Sequence, residues 1–71
     1  MSQANQDYQF QKANLKIEEV AKALGMDAQT VRLMIQEEIV PWGKAWKRPG
    51  SQRYSYLISP KLFYDTTGVM L

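Results

Sequence analysis

Cysteine and histidine are both missing from this chain of 71 residues. Without thiols there is no disulfide staple. Without thiol or imidazole the common zinc and transition-metal sites have nothing to be built from, so neither a metal nor a cofactor is expected. The same gap removes the histidine that would activate a serine and the cysteine that would attack as a thiolate. No phosphate-cradling loop is present, since GKAW after Trp42 lacks the spaced glycines and the following Ser or Thr. Carboxylates pair only as sequence neighbours, Glu18 with Glu19 and Glu37 with Glu38, which on a helix point about 100° apart. They read as solvated faces, so neither an enzyme nor a small-molecule substrate is expected. No apolar run approaches the roughly 18 residues that suggest a membrane span, and the first residues do not resemble a signal peptide, so membrane insertion and secretion are not expected either. A cytoplasmic location is the default.

What remains is one small domain held together by its apolar core, burying only about 60% of the surface that its unfolded chain exposes. Its net charge is +2. That charge is unevenly spread. Between residues 40 and 64 lie Lys44, Lys47, Arg48, Arg53 and Lys61 with no acidic residue, whereas over residues 17–38 Glu18, Glu19, Asp27, Glu37 and Glu38 outnumber Lys22 and Arg32. The second half carries attraction for phosphate and the first half carries shape.

The shape comes from IEEVAKALGMDAQTVRLMIQ at residues 17–36. Ile17, Val20, Ala21 and Leu24 fall at the i, i+3, i+4, i+7 spacing of one amphipathic helix face. The helix is expected to start near Lys16 or Ile17, with Asn14 a candidate cap, and Glu18 and Glu19 suit the positive end of its dipole. Gly25 supplies the left-handed conformation that ends it. Asp27 then caps a second helix whose Val31, Met34 and Ile35 face inwards. Small Ala21 suits the close crossing of two helices joined by so short a turn. Ala28, Gln29, Arg32, Leu33 and Gln36 are left facing outwards, with Thr30 beside them in the TVR of residues 30–32, a chemistry suited to base edges in a major groove.

Pro41 stops the second helix by Val40. Aromatic and β-branched residues then flank a turn signal at Pro49-Gly50-Ser51-Gln52, which predicts a β-hairpin with strands near residues 44–48 and 53–58. Tyr54, Tyr56 and Ile58 share one face of the second strand, and Arg53, Ser55 and Leu57 the other. Trp42, Trp46, Tyr54 and Tyr56 are expected to pack the hairpin rather than to stack on single-stranded bases. Ser59-Pro60 starts a short third helix, Leu62 and Phe63 pack it back on the hairpin, and Gly68 closes it. Val69, Met70 and Leu71 cap the core or reach a partner. Residues 1–14, rich in Gln and Asn, read as a flexible tail ahead of a domain over residues 15–71, with Tyr8 and Phe10 able to pin that tail. The fold class is α+β: two helix-turn-helix helices, a two-stranded hairpin wing and a short C-terminal helix.

This order resembles the small winged helix-turn-helix proteins of the excisionase type, which share their architecture with the DNA-binding domains of MerR-like regulators. The resemblance covers about residues 15–68 and rests on IEEVAKALGM at 17–26, TVR at 30–32, KRPGSQRY at 47–54 and ISPKLFYD at 58–65. It departs at Lys16, where such proteins often have a Ser or Thr cap, and at Leu33, where a second basic residue is common. The resemblance implies a second helix in a major groove, with Gln29, Arg32 and Gln36 on bases. It places the wing along phosphates or the adjacent minor groove, with Lys47, Arg48 and Arg53 on the backbone; Lys44 of the same basic stretch is a further candidate DNA contact. It further implies a phage or mobile-element protein in a bacterial host cell. Such a protein binds double-stranded DNA as a recombination directionality factor beside an integrase, or as a small transcriptional regulator. The competing expectation is an anti-repressor that binds a phage repressor protein through its helix-turn-helix surface, for which the acidic helices and Leu33 are suited.

Overall fold

Each of the first two helices ends in the same hydrogen-bonded turn, and those two turns set the direction of everything that follows. In the computed structural model, which describes Phe10 and residues 12–71, α1 spans Ile17–Leu24 and α2 spans Ala28–Gln36. At the end of α1 the N–H of Met26 donates to Ala21 O (2.9 Å) and that of Gly25 to Lys22 O (3.3 Å), with Gly25 left-handed at φ 70°. This is a Schellman turn, which satisfies carbonyls that the helix end leaves free. At the end of α2 the N–H of Ile39 donates to Met34 O (3.0 Å) and that of Glu38 to Ile35 O (3.1 Å), the same pattern with Glu38 at φ 58° in the glycine position. The second helix therefore stops well before Pro41. The strain of a side chain in that conformation, about 1–2 kcal/mol, is borne by Glu38.

The helix starts are as local. Asp27 caps α2, accepting from the Thr30 N–H (3.3 Å) and the Thr30 hydroxyl (2.8 Å). Lys16 stands at the start of α1, its N–H donating to Glu19 Oε2 at 2.8 Å. Asn14 is not that cap. Its side-chain oxygen instead accepts from the Ile58 N–H (2.7 Å), next to a Leu15 N–H to Ile58 O bond of 3.1 Å. The segment before α1 is thus tied to the hairpin's second strand. Phe10 meets Tyr64 edge-on with ring centroids 5.8 Å apart, while Tyr8, with the rest of residues 1–9 and residue 11 of the expected tail, lies outside the described residues.

The hairpin pairs β1, Gly43–Lys47, with β2, Tyr54–Ile58, in antiparallel register from Gly43 opposite Ile58 to Lys47 opposite Tyr54. Alternation puts Gly43, Ala45 and Lys47 on one face with Tyr54, Tyr56 and Ile58, and Lys44 and Trp46 on the other with Ser55 and Leu57. The first face closes the core. There Gly43 leaves room for Ile35: a Cβ on Gly43 would sit 3.0 Å from Ile35 Cγ1. Ser59 then caps α3, Pro60–Thr67, by accepting from the Leu62 N–H (3.1 Å), with Pro60 in the first turn and left-handed Gly68 after the last.

Val20 from α1, Val31 and Ile35 from α2, Ile58 from β2 and Phe63 from α3 are the largest fully buried side chains, each contributing about 1.5–3 kcal/mol. Leu15, Ile17, Ala21 and Trp42 complete the core, and the Trp42 indole meets the Phe63 ring edge-on at 5.0 Å. Phe63 holds α3 down as expected; Leu62, one residue and about 100° earlier on the helix, is exposed. Val69 and Leu71 pack against the core and Met70 faces out. The order α-α-β-β-α is the α+β, winged helix-turn-helix layout expected from the sequence. No helix among the described residues is long and apolar enough to cross a membrane.

Candidate nucleic-acid interface

Four residues at i, i+3, i+4 and i+7 spacing, Gln29, Arg32, Leu33 and Gln36, form the α2 face turned away from α1's core stripe. Gln29 and Leu33 are exposed, Leu33 to 46%. Arg32 is half-buried and held from two sides, by Gln29 Oε1 at 3.5 Å and by Glu18 Oε2 of α1 at 3.7 Å. Ala28 does not belong to this face. It sits three residues before Val31 and seven before Ile35, on the buried stripe, and packs against the core. Thr30 is exposed, yet its hydroxyl is taken by the Asp27 carboxylate. That bond, with the Thr30 N–H after it, holds the Asp27 carboxyl below its ordinary range.

Gln36 has a different role from the one its spacing suggested. Its amide donates to the Tyr56 hydroxyl of β2, so the last turn of the helix is bound to the hairpin. Tyr56 lies beside Tyr54, with ring centroids 6.2 Å apart, and the Lys47 ammonium stands 4.9 Å from the centre of the Tyr54 ring. A continuous line of side chains therefore runs from the outer face of α2 through Gln36, Tyr56 and Tyr54 to the basic end of the hairpin. The tyrosines were expected in the packing; their alternation on one face was readable, but not that one would reach Gln36 across 20 residues of chain.

The tip itself is a type II turn. The Ser51 N–H donates to Arg48 O (3.0 Å), Pro49 takes the position whose φ it pre-sets, and Gly50 takes the position that requires φ of 80°. Ser51 Oγ accepts from the Arg53 N–H at 3.0 Å, which fixes where β2 begins. Lys47, Arg48 and Arg53 are brought together at this end and are exposed, and Lys44 is exposed on the opposite face of β1. The ion pairs among the described residues lie elsewhere, Lys12 with Glu19, Arg32 with Glu18 and Lys61 with Asp65. The hairpin cations thus have no carboxylate partner among the described residues.

Among the described residues there is no enclosed pocket, no cluster of acidic groups placed to hold a metal ion, and no buried side-chain polar atom without a partner. The surface described above is therefore the feature with the most chemistry to offer. Compared with family models, curated proteins and solved structures, the chain finds no match.

Proposed function

We propose that this chain is a sequence-specific binder of double-stranded DNA, serving a phage or mobile element as an excisionase-type directionality factor or as a small transcriptional regulator. The observation that carries the reading is the unbroken surface from Gln29, Arg32 and Leu33 through Gln36, Tyr56 and Tyr54 to Lys47. A helix of this width enters a major groove, and the hairpin linked to its last turn then lies against the neighbouring backbone. Arg32 is the base reader on this account, with Glu18 and Gln29 beside its guanidinium. Gln36 sets the angle between helix and wing. Lys47, Arg48 and Arg53 supply sequence-independent attraction to phosphate.

The test is selection of a preferred duplex from random sequences, followed by titration of Arg32→Ala. The variant is expected to lose about 1–3 kcal/mol on the preferred site and much less on random duplex. Equal losses on both would demote Arg32 to a phosphate contact. Excision is separated from regulation by adding the chain to an integrase encoded beside it and scoring recombination direction.

A second reading is favoured by the end of α2. Glu37 and Glu38 stand at the negative end of the helix dipole, Glu38 in a strained backbone conformation, and Ile39 beside them is 65% exposed. Two carboxylates next to an exposed apolar side chain suit the basic DNA-reading surface of a repressor protein, the arrangement an anti-repressor needs. Reversing both carboxylates, with Glu37→Lys and Glu38→Lys, weakens a repressor complex on this reading and leaves or strengthens DNA binding on the first.

A further inference from the structure

The hairpin has a second face that the duplex-binding surface does not use. On it Trp46 and Leu57 are exposed to 47% and 48%, with Lys44 directly opposite Leu57 and Ser55 directly opposite Trp46. The residue types alone predict that the aromatic side chains of the hairpin pack against it. Trp42 fulfils that, buried against Phe63, but Trp46 does not: it stands on the side of a two-stranded sheet turned away from the core, and among the described residues nothing covers it. An indole left in water on a flat strand surface forgoes the burial that normally justifies so large an apolar side chain.

Charge decides what would cover it. The strand that carries Trp46 also carries Lys44 on the same face, and runs into Lys47 and Arg48 at the tip. No acidic residue occurs anywhere from residue 40 to residue 64. An apolar protein surface would not need such a setting, whereas an unpaired base needs both halves of it, a π face to stack on and cations for the phosphates on either side. A base pair inside a duplex has no free face to offer, so the ligand is single-stranded.

We propose that the outer face of the hairpin is a single-stranded DNA site, in which one base stacks on Trp46 against Leu57 while Lys44, on the same face, holds an adjacent phosphate. The choice of DNA over RNA rests on the duplex-binding reading above; the site itself does not. Because Trp46 and the Gln36–Tyr56 line lie on opposite faces of the hairpin, the same chain can hold a duplex and a nearby unpaired strand together.

The experiment titrates the full chain with a ten-residue oligo(dT), following tryptophan emission for wild type and the anisotropy of an end-labelled oligo(dT) for wild type and variants alike. Trp42 is buried, so quenching reports Trp46. Wild type is expected to be quenched with salt-sensitive affinity, Trp46→Ala to bind at least about tenfold more weakly, and Trp46→Phe to keep most of the affinity because it keeps a ring. Circular dichroism and titration with a duplex run alongside; both variants are expected to match wild type there, which separates this proposal from the duplex reading. Absence of quenching in wild type would overturn the proposal. So would equal oligo(dT) affinity for wild type and Trp46→Ala, or self-association by sedimentation that Trp46→Ala abolishes in place of oligonucleotide binding. Tighter binding of oligo(rU) than of oligo(dT) would overturn the assignment to DNA.

Discussion

Arg32 on α2 and the cations of the hairpin carry the same charge in opposite settings. Arg32 is half-buried, bridged to Glu18 on the neighbouring helix and to Gln29 one turn back. Lys47, Arg48 and Arg53 stand exposed around a type II turn with no acidic residue from 40 to 64. A cation held in one place by its own molecule can discriminate between base pairs, because a wrong base leaves its donors unmatched. Free cations at a loop tip cannot discriminate, but they attract any phosphate and make that attraction depend on salt. On the proposed function, then, the helix pair chooses and the hairpin holds. The two are joined by Gln36 to Tyr56, by Ile35 against Gly43, and by the shared core in which Ile58 and Phe63 are buried with Val20, Val31 and Ile35.

The largest expected effect breaks that junction. Phe63→Ala removes the ring that meets Trp42 and should cost about 3–5 kcal/mol, most of what a domain of this size can hold. Helix content by circular dichroism and Trp42 emission should then be lost in one coincident transition; two separate transitions would mean that helices and hairpin are independent units. A smaller pair of substitutions sharpens the comparison of the two helix ends. Gly25→Ala should destabilise by about 1–2 kcal/mol, since it puts a side chain into the left-handed position. Glu38→Gly relieves the same strain and should stabilise by roughly 0.5–1 kcal/mol after the extra backbone entropy of glycine is subtracted. Denaturant midpoints that moved in the same direction would contradict the matched geometry of the two turns.

The smallest effect concerns Asp27. Its carboxyl is held below the ordinary range by the Thr30 hydroxyl and N–H, so its contribution is complete above the unfolded-state value, near about pH 4. As pH falls below that value and through the lower folded-state one, the contribution is lost. Thermal melts of wild type should therefore fall faster on acidification than those of Asp27→Asn, and the two curves should converge in acid. Parallel curves would remove Asp27 from the cap.

Local signals were legible and distant pairings were not. Gly25, Asp27, Ser59-Pro60 and Gly68 each act within three or four residues of themselves, so their chemistry can be read from neighbours alone, and each does what its type implies. The hairpin strands were legible to within one residue at each end for the same reason. The early stop of α2 was not, because glutamate carries no sign that it will accept a glycine's conformation. Nor could spacing show that Gln36 would be bound by Tyr56, Arg32 by Glu18, or Ile58 by Asn14, since each depends on how separate elements come to lie side by side. Helical alternation also assigned Ala28 to the outer face, although its spacing from Val31 and Ile35 puts it on the buried stripe. The candidate site was thus readable as a set of residue types, with Ala28 on the buried stripe instead of the outer face, and with the bond of Gln36 to Tyr56 visible only in the packed structure.

The division between choosing and holding is tested most directly by the salt dependence of duplex binding. Wild type and a triple variant, Lys47→Ala with Arg48→Ala and Arg53→Ala, are titrated against the selected duplex and a random one over a range of salt concentrations. The slope of log affinity against log salt should flatten by nearly three units in the variant, each released counterion contributing about 0.9, while the ratio of affinities for the two duplexes stays the same. An unchanged slope, or a wild type without salt-sensitive affinity for any duplex, would contradict the account.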